Sequence, residues 1–289
     1  MVVLLAALMH AIWNSLISQA SEKGLFTLAL HICSAVLAVP VLLVVGLPSE
    51  LSYPYVLVSI FLHGLYIYIL TKVYAKSAFG PAYIVMRGMA PVFVMIISLL
   101  WMNESFDTAS SLGLIFLTLG VLFLMNAYQV NITRSLKWEQ IKFALLNAAV
   151  IAAYTVVDGA GARLSGNPLA YVMLSAVFEP ILVYALAYRD QTSQLLIFSR
   201  SNAFLIVFGS VISLAGYAMI LWAMTISPIA LVSALRETSV VFAMLISIFF
   251  FKEGRLSSAA LSVIWVLVCL LYTSPSPRDL STSRMPSSA

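Results

Sequence analysis

Two arginines stand where a chain this apolar can least tolerate them. Arg87 and Arg236 each lie near the start of a long hydrophobic run, 149 residues apart, and the runs match. Residues 87–104 read RGMAPVFVMIISLLWMNE and residues 236–253 read RETSVVFAMLISIFFFKE, identical at seven of eighteen positions and each closed by a glutamate. A guanidinium in hydrocarbon is costly enough to need a partner or a purpose. Its planar fork of donors matches a carboxylate or phosphate bidentately, so two of them flanking one cavity would hold a small anion. The alternative is structural, each arginine neutralising a nearby buried carboxylate.

Three carboxylates are candidates for that partner. Glu237 directly follows Arg236, and on a regular helix neighbouring side chains diverge, so the two need not pair. Glu179 lies eleven residues beyond Pro168, near the middle of its run, and Pro180 follows it. A mid-membrane carboxylate suits proton coupling, or an ion pair with an arginine. Asp158, in the string DGAGAR, can cap a bend, pair with Arg163 or reach Arg87.

Matched polar-aromatic residues give a softer signal. Trp13 and Asn14 align with Tyr154 and Thr155 at an offset of 141, and Tyr68 aligns with Tyr217 at the main offset of 149. Such pairs suit a substrate site with an apolar body and a polar tip; interhelical hydrogen bonding is the other use of these residues. His10, His31 and His63 fall on three separate runs without ligand spacing, so no metal is expected. Of the three, His63 is the one singled out for pH dependence, since Tyr66 and Lys72 follow it on one face. Cys33 and Cys269 sit in apolar runs and give no zinc or redox spacing. No phosphate-binding glycine loop occurs, so ATP-driven transport within the chain is not expected, nor is any cofactor.

The elements that must position these residues follow from composition. Of 289 residues 62% are hydrophobic and 9% charged, against roughly 25% charged in a soluble domain. Such a chain belongs in the lipid bilayer. Its formal charge of +4 is spread over loops without a basic block, and a nucleic-acid partner is not expected. Apolar runs at 2–20, 25–46, 53–72, 79–102, 110–128, 141–162, 168–188, 203–226, 228–251 and 256–272 are mostly near the ~20 residues needed to span. Nothing alternates at period two, so all ten are expected to be helices. Residues 2–17 lack a basic leader and read as the first helix rather than a signal peptide.

The repeated stretch opens the fourth run and recurs in the ninth. Five spans separate the copies, an odd number, so the two halves have opposite orientations: an inverted 5+5 repeat over 1–130 and 138–268. Such repeats place a substrate site near the midplane. Orientation follows from the loop charges. The odd-to-even loops and adjoining helix ends hold Lys23, Lys72, Lys76, Arg134, Lys137, Lys142, Arg189, Arg200, Lys252 and Arg255, whereas the others hold only Arg163. The odd-to-even loops are therefore expected in the cytoplasm and both termini outside. In the fifth run Ser110, Ser111, Gly113 and Gly120 form a small-residue stripe suited to packing or to a homodimer contact. Residues 269–289, CLLYTSPSPRDLSTSRMPSSA, look like a translated sequencing adapter. The last helix is then truncated near Val268 and completed by non-native residues; a polar cytoplasmic tail is the alternative.

Ten spans, the five-plus-five repeat and the glutamates closing spans 4 and 9 resemble the EamA family of the drug/metabolite transporter superfamily, from residue 1 to about Val268. The strings HAIWN (10–14), RGMAP (87–91), YTVVDG (154–159) and ALRETS (234–239) look like one branch of it, sometimes associated with phosphonate utilisation. The resemblance implies a multi-pass carrier of the bacterial inner membrane, with a central cavity lined mainly by spans 1, 3, 4, 6, 8 and 9. Characterised relatives usually keep both termini cytoplasmic, opposite to the loop count here.

The expectation is thus a secondary transporter, not an enzyme. It would move a small polar, anionic metabolite of carboxylate, amino acid or phosphonate type by alternating access. A membrane-embedded enzyme would need longer chemistry-bearing loops, and a scaffold or sensor would have little use for duplicated buried arginines.

Overall fold

The computed structural model of the protein describes residues 1–76, 79–102, 112–113 and 138–250, and among these every regular element is helical. Five helices are long and apolar enough to cross a membrane: Val2–Gln19, Lys23–Val45, Glu50–Ile69, Ile141–Leu164 and Ala203–Ile226; Val85–Trp101 and Pro168–Val183 are shorter apolar helices. Apart from residues 112–113, which are helical, the expected span 110–128 with its small-residue stripe lies outside the described residues. So do the span 256–272, the tail from 269, and Arg134, Lys137, Lys252 and Arg255.

We number the described helices α1 (Val2–Gln19), α2 (Lys23–Val45), α3 (Tyr53–Lys76), α4 (Phe79–Trp101), α5 (Trp138–Leu164), α6 (Pro168–Val183), α7 (Thr192–Ser201), α8 (Ala203–Ile226), α9 (Ile229–Arg236) and α10 (Ser239–Phe250). Most are apolar around much of their circumference, as a helix between protein and hydrocarbon must be. Leu43, Val44, Leu57, Phe61, Phe204 and Phe250 are exposed on the outer surface, a pattern suited to lipid rather than water.

Local chemistry sets the helix ends. Asn167 caps α6, its side-chain oxygen accepting from the amides of Leu169 and Ala170 at 3.1 and 3.2 Å, while Pro168 takes the first position, where no amide is needed. Pro180 lies inside α6, which passes at Tyr184 into a π-helical turn ending at Tyr188. Arg163, at the end of α5, donates from Nε to the Met224 carbonyl at 2.8 Å and from Nη2 to that of Ser227 at 3.0 Å. It thus caps the last carbonyls of α8. Of the three roles open to Asp158, the pairing with Arg163 is therefore not formed. Asp158 lies more than one helical turn back along α5, and Arg163 is engaged by α8.

The expected continuous helix over 228–251 is broken. α9 stops at Arg236 and α10 starts at Ser239, and the join is made by i to i+3 bonds: Glu237 N to Ala234 O at 3.0 Å and Thr238 N to Leu235 O at 3.2 Å. A 3₁₀ step inside an apolar helix changes which way the side chains on either side point.

Packing places the site. α5 is covered by α3 and α4; α1 lies against α8, α9 and α10; α2 pairs with α6, and α8 also touches α2 and α6. Toward the end holding the turns at 46–52, 165–167 and 227–228, one buried apolar core joins residues of α1 to α6 with α8 and α9, including Ala6, Val56, Val94, Val156, Tyr171 and Ile229. Toward the α1–α2 turn the core divides. One part lies among α3, α4 and α5 around Ile69, Met86 and Ile151; the other lies among α2, α3, α6, α7 and α8 around Phe26, Leu30 and Leu195. Close approach at the sealed end needs Gly161, where an added Cβ would stand 2.5 Å from the Tyr171 ring.

Candidate functional site

A cavity of about 560 Å³ runs from mid-bundle to the α1–α2 turn, within the size range of sites for small ligands. Near its mouth stand Lys23, Gly24 and Tyr188; deeper are residues of α1, α2, α3, α4, α5, α6, α8 and α9. Of the residues singled out in the sequence, Arg87, Arg236, Trp13, Asn14, Tyr154, Tyr217, His63 and Glu179 line it. Tyr68 does not: it is about half exposed, and Tyr66 and Ile67 take its place on the wall. His63 and Ile67 are one turn apart and share the inner face of α3, which turns the next residue outward. The equivalence with Tyr217 holds in sequence but not in direction.

At mid-bundle the two arginines meet one carboxylate. Glu237 is fully buried, and its Oε2 lies 3.0 Å from Arg87 Nε. Its Oε1 lies 3.7 Å from Arg236 Nε, so the neighbours expected to diverge do approach each other. A 3₁₀ step spaces successive side chains by about 120°, wider than a regular helix, so the contact is made across that divergence and stays long. Arg87 is held further by Nη2, 3.3 Å from Ser239 Oγ and 3.2 Å from His10 Nε2. A guanidinium only donates, so His10 Nε2 must accept here, which makes that imidazole neutral. Arg236 is held more loosely: besides Glu237 it reaches Thr155 Oγ1 at 3.5 Å, at the outer limit of a hydrogen bond.

Asp158 forms a second centre, just behind the cavity wall. It is fully buried, and it pairs with neither Arg163 nor Arg87. Tyr171 donates to its Oδ1 at 3.0 Å and Tyr217 to its Oδ2, while His63 Nε2 stands 4.0 Å away. His63 Nδ1 is 3.0 Å from the Ser59 carbonyl, to which it donates, and the ring stacks on Tyr154 with centroids 4.2 Å apart. Asp158 thereby ties α5 to α6 and α8 at the floor of the cavity.

A third pair lies toward the mouth. Glu179 Oε1 is 3.2 Å from His31 Nδ1, so the partner of this carboxylate is a histidine on α2 and not an arginine. The helix pairing explains it: α6 lies along α2, while both arginines are on α4 and α9.

Sequence reasoning passed over His10, His31 and Tyr171. A signal existed for His10, which sits one turn ahead of Trp13 and Asn14 on the same face of α1. Its ring meets Trp13 edge-on at 5.1 Å, and its carbonyl accepts from the Asn14 amide at 2.7 Å. His31 and Tyr171 gave no such signal, because each acts on a residue of another helix.

No family model matches the chain, and no curated protein does. A solved crystal structure, described only as that of a protein, is similar over 96% of both chains, with a TM-score of 0.70 at 14% identity. At that identity the likeness is one of fold.

Proposed function

We propose that the chain is a secondary transporter moving a small polar, anionic metabolite across the bacterial inner membrane by alternating access. The observation that carries this reading is a cavity open toward one end of an apolar bundle, with two arginines against one carboxylate on its wall. The excess guanidinium charge supplies the affinity for an anion. The single core beyond the cavity, with the Arg163 cap and the Asp158 tie, is the closed gate of this state. The divided core at the other end is its opening.

An inverted repeat of EamA type is the architecture this reading implies, and the packing supports it. The contact of α3 with α5 has its counterpart in α8 with α1, α4 with α5 in α9 and α10 with α1, and α3 with α6 in α8 with α2. Each arginine also reaches the first helix of its own half: Arg87 to His10 on α1, Arg236 to Thr155 on α5. Discontinuous helices at the repeat interface are a common source of such sites, and the break at Glu237 supplies one.

Two measurements test the proposal. In proteoliposomes, counterflow of radiolabelled carboxylates and phosphonates is expected to be saturable and to return the compound unchanged. Chemical conversion of the compound, or the absence of flux for every anion tried, would refute a carrier. In this reading the cavity mouth faces the cytoplasm, an orientation supported by the loop charges. A reporter fused after Lys137 should then be active only as a cytoplasmic enzyme; periplasmic activity would reverse the orientation.

A further inference from the structure

We infer that the arginine pole of this cavity is built for a substrate presenting a single negative charge, and that Glu237 sets that limit. The inference rests on the anion-carrier reading above and narrows the class of anion.

The charge at the pole can be counted from its partners. Arg87 and Arg236 contribute two positive charges, and both are about 95% buried. Glu237, with no solvent exposure, returns one negative charge, its two oxygens facing the two guanidiniums. His10, the remaining basic group in contact, accepts from Arg87 and is neutral. The described groups leave a net charge of one. Among the described residues no other carboxylate alters the count at the pole. Glu179 is engaged by His31 toward the mouth, and Asp158 stands behind the wall with a tyrosine hydroxyl on each oxygen.

The geometry also divides the labour between the arginines. Arg87 is fixed by Glu237, Ser239 and His10 at 3.0–3.3 Å. Arg236 has only contacts of 3.5 and 3.7 Å among its described polar partners, and it lines the cavity. Arg236 is therefore the group that exchanges its long contacts for a bidentate grip on the substrate, and Arg87 is the positioning residue that holds Glu237 in place. A monoanion neutralises the pole. A dianion entering the same site carries an uncompensated charge into a low-dielectric interior, where it is strongly disfavoured.

Matched probes read this directly. The dicarboxylates from malonate to adipate, each set against its own monomethyl ester, keep the carbon frame and change the charge by one. Thermal-shift titration of the full chain at neutral pH is expected to give tighter binding of at least one monoester than of its parent dianion, by about tenfold or more. Glu237→Gln, which removes the charge but keeps the shape, should move the ratio toward the dianion by a similar factor. Binding in the series with no monoester held more tightly than its parent dianion by the wild-type protein would overturn the inference without touching the carrier reading. So would a ratio unmoved in a folded Glu237→Gln variant. Failure of both ester and diacid across the whole series, with other anions also inert, would instead remove the anion-carrier reading on which the inference stands. The wild-type comparison decides the matter even where the variant does not fold.

Discussion

Arg236→Ala is expected to lower anion counterflow about a hundredfold while leaving the amount of protein in the membrane unchanged. Arg236 is the guanidinium whose partners are distant, at 3.5 Å to Thr155 and 3.7 Å to Glu237, so removing it forfeits little internal bonding. What is lost is the grip on the substrate. Charge-assisted hydrogen bonds contribute about 1.5–3 kcal/mol, and roughly 1.4 kcal/mol corresponds to a factor of ten. Arg236→Lys keeps the charge and loses the fork, so it should retain an intermediate flux, about tenfold down. The contrasting variant is Arg87→Lys, which disturbs the support of Glu237 and is expected to impair transport with a lowered melting temperature. Proteoliposome flux normalised to reconstituted protein, read beside thermal unfolding in detergent, separates the two. Undiminished flux in Arg236→Ala would remove this residue from the site.

Glu237→Ala is the variant expected to cost most in stability, about 3–5 kcal/mol, because it leaves two guanidiniums in the bundle interior without their shared carboxylate. Glu237 is fully buried and stands 3.0 Å from Arg87 Nε, so water does not readily replace it. The double change Arg87→Leu with Glu237→Leu removes the close pair together. It should recover much of the loss in thermal unfolding although transport stays impaired, since replacing a buried pair by apolar groups is often near neutral. If Glu237→Ala unfolds at the wild-type temperature, the carboxylate is not the counter-charge of the arginine pole.

Much of this arrangement could be read from the sequence because it depends on local rules. An apolar run of about twenty residues can satisfy its backbone in lipid only as a helix, and α1, α2, α5 and α8 lie where the runs predict them. The cost of a guanidinium in hydrocarbon pointed to Arg87 and Arg236 without any knowledge of their surroundings, and both line the cavity. A matching offset also brought forward Trp13, Tyr154 and Tyr217, whose side chains share that wall.

Which groups face each other depends on how the helices pack. Spacing along one helix says nothing of its rotation about its axis, and that rotation turned Tyr68 outward and brought Tyr66 in. Carboxylate partners depend on which helices lie side by side, so Glu179 met His31 and Asp158 met Tyr171 and Tyr217. The break after Arg236 has no proline or glycine to announce it, and Glu237, which stands in it, faces both arginines. That two arginines are buried in an apolar bundle follows from residue type and hydropathy alone. Their separate roles follow from the fold, because an ion pair is a property of distance between helices and not of residue type.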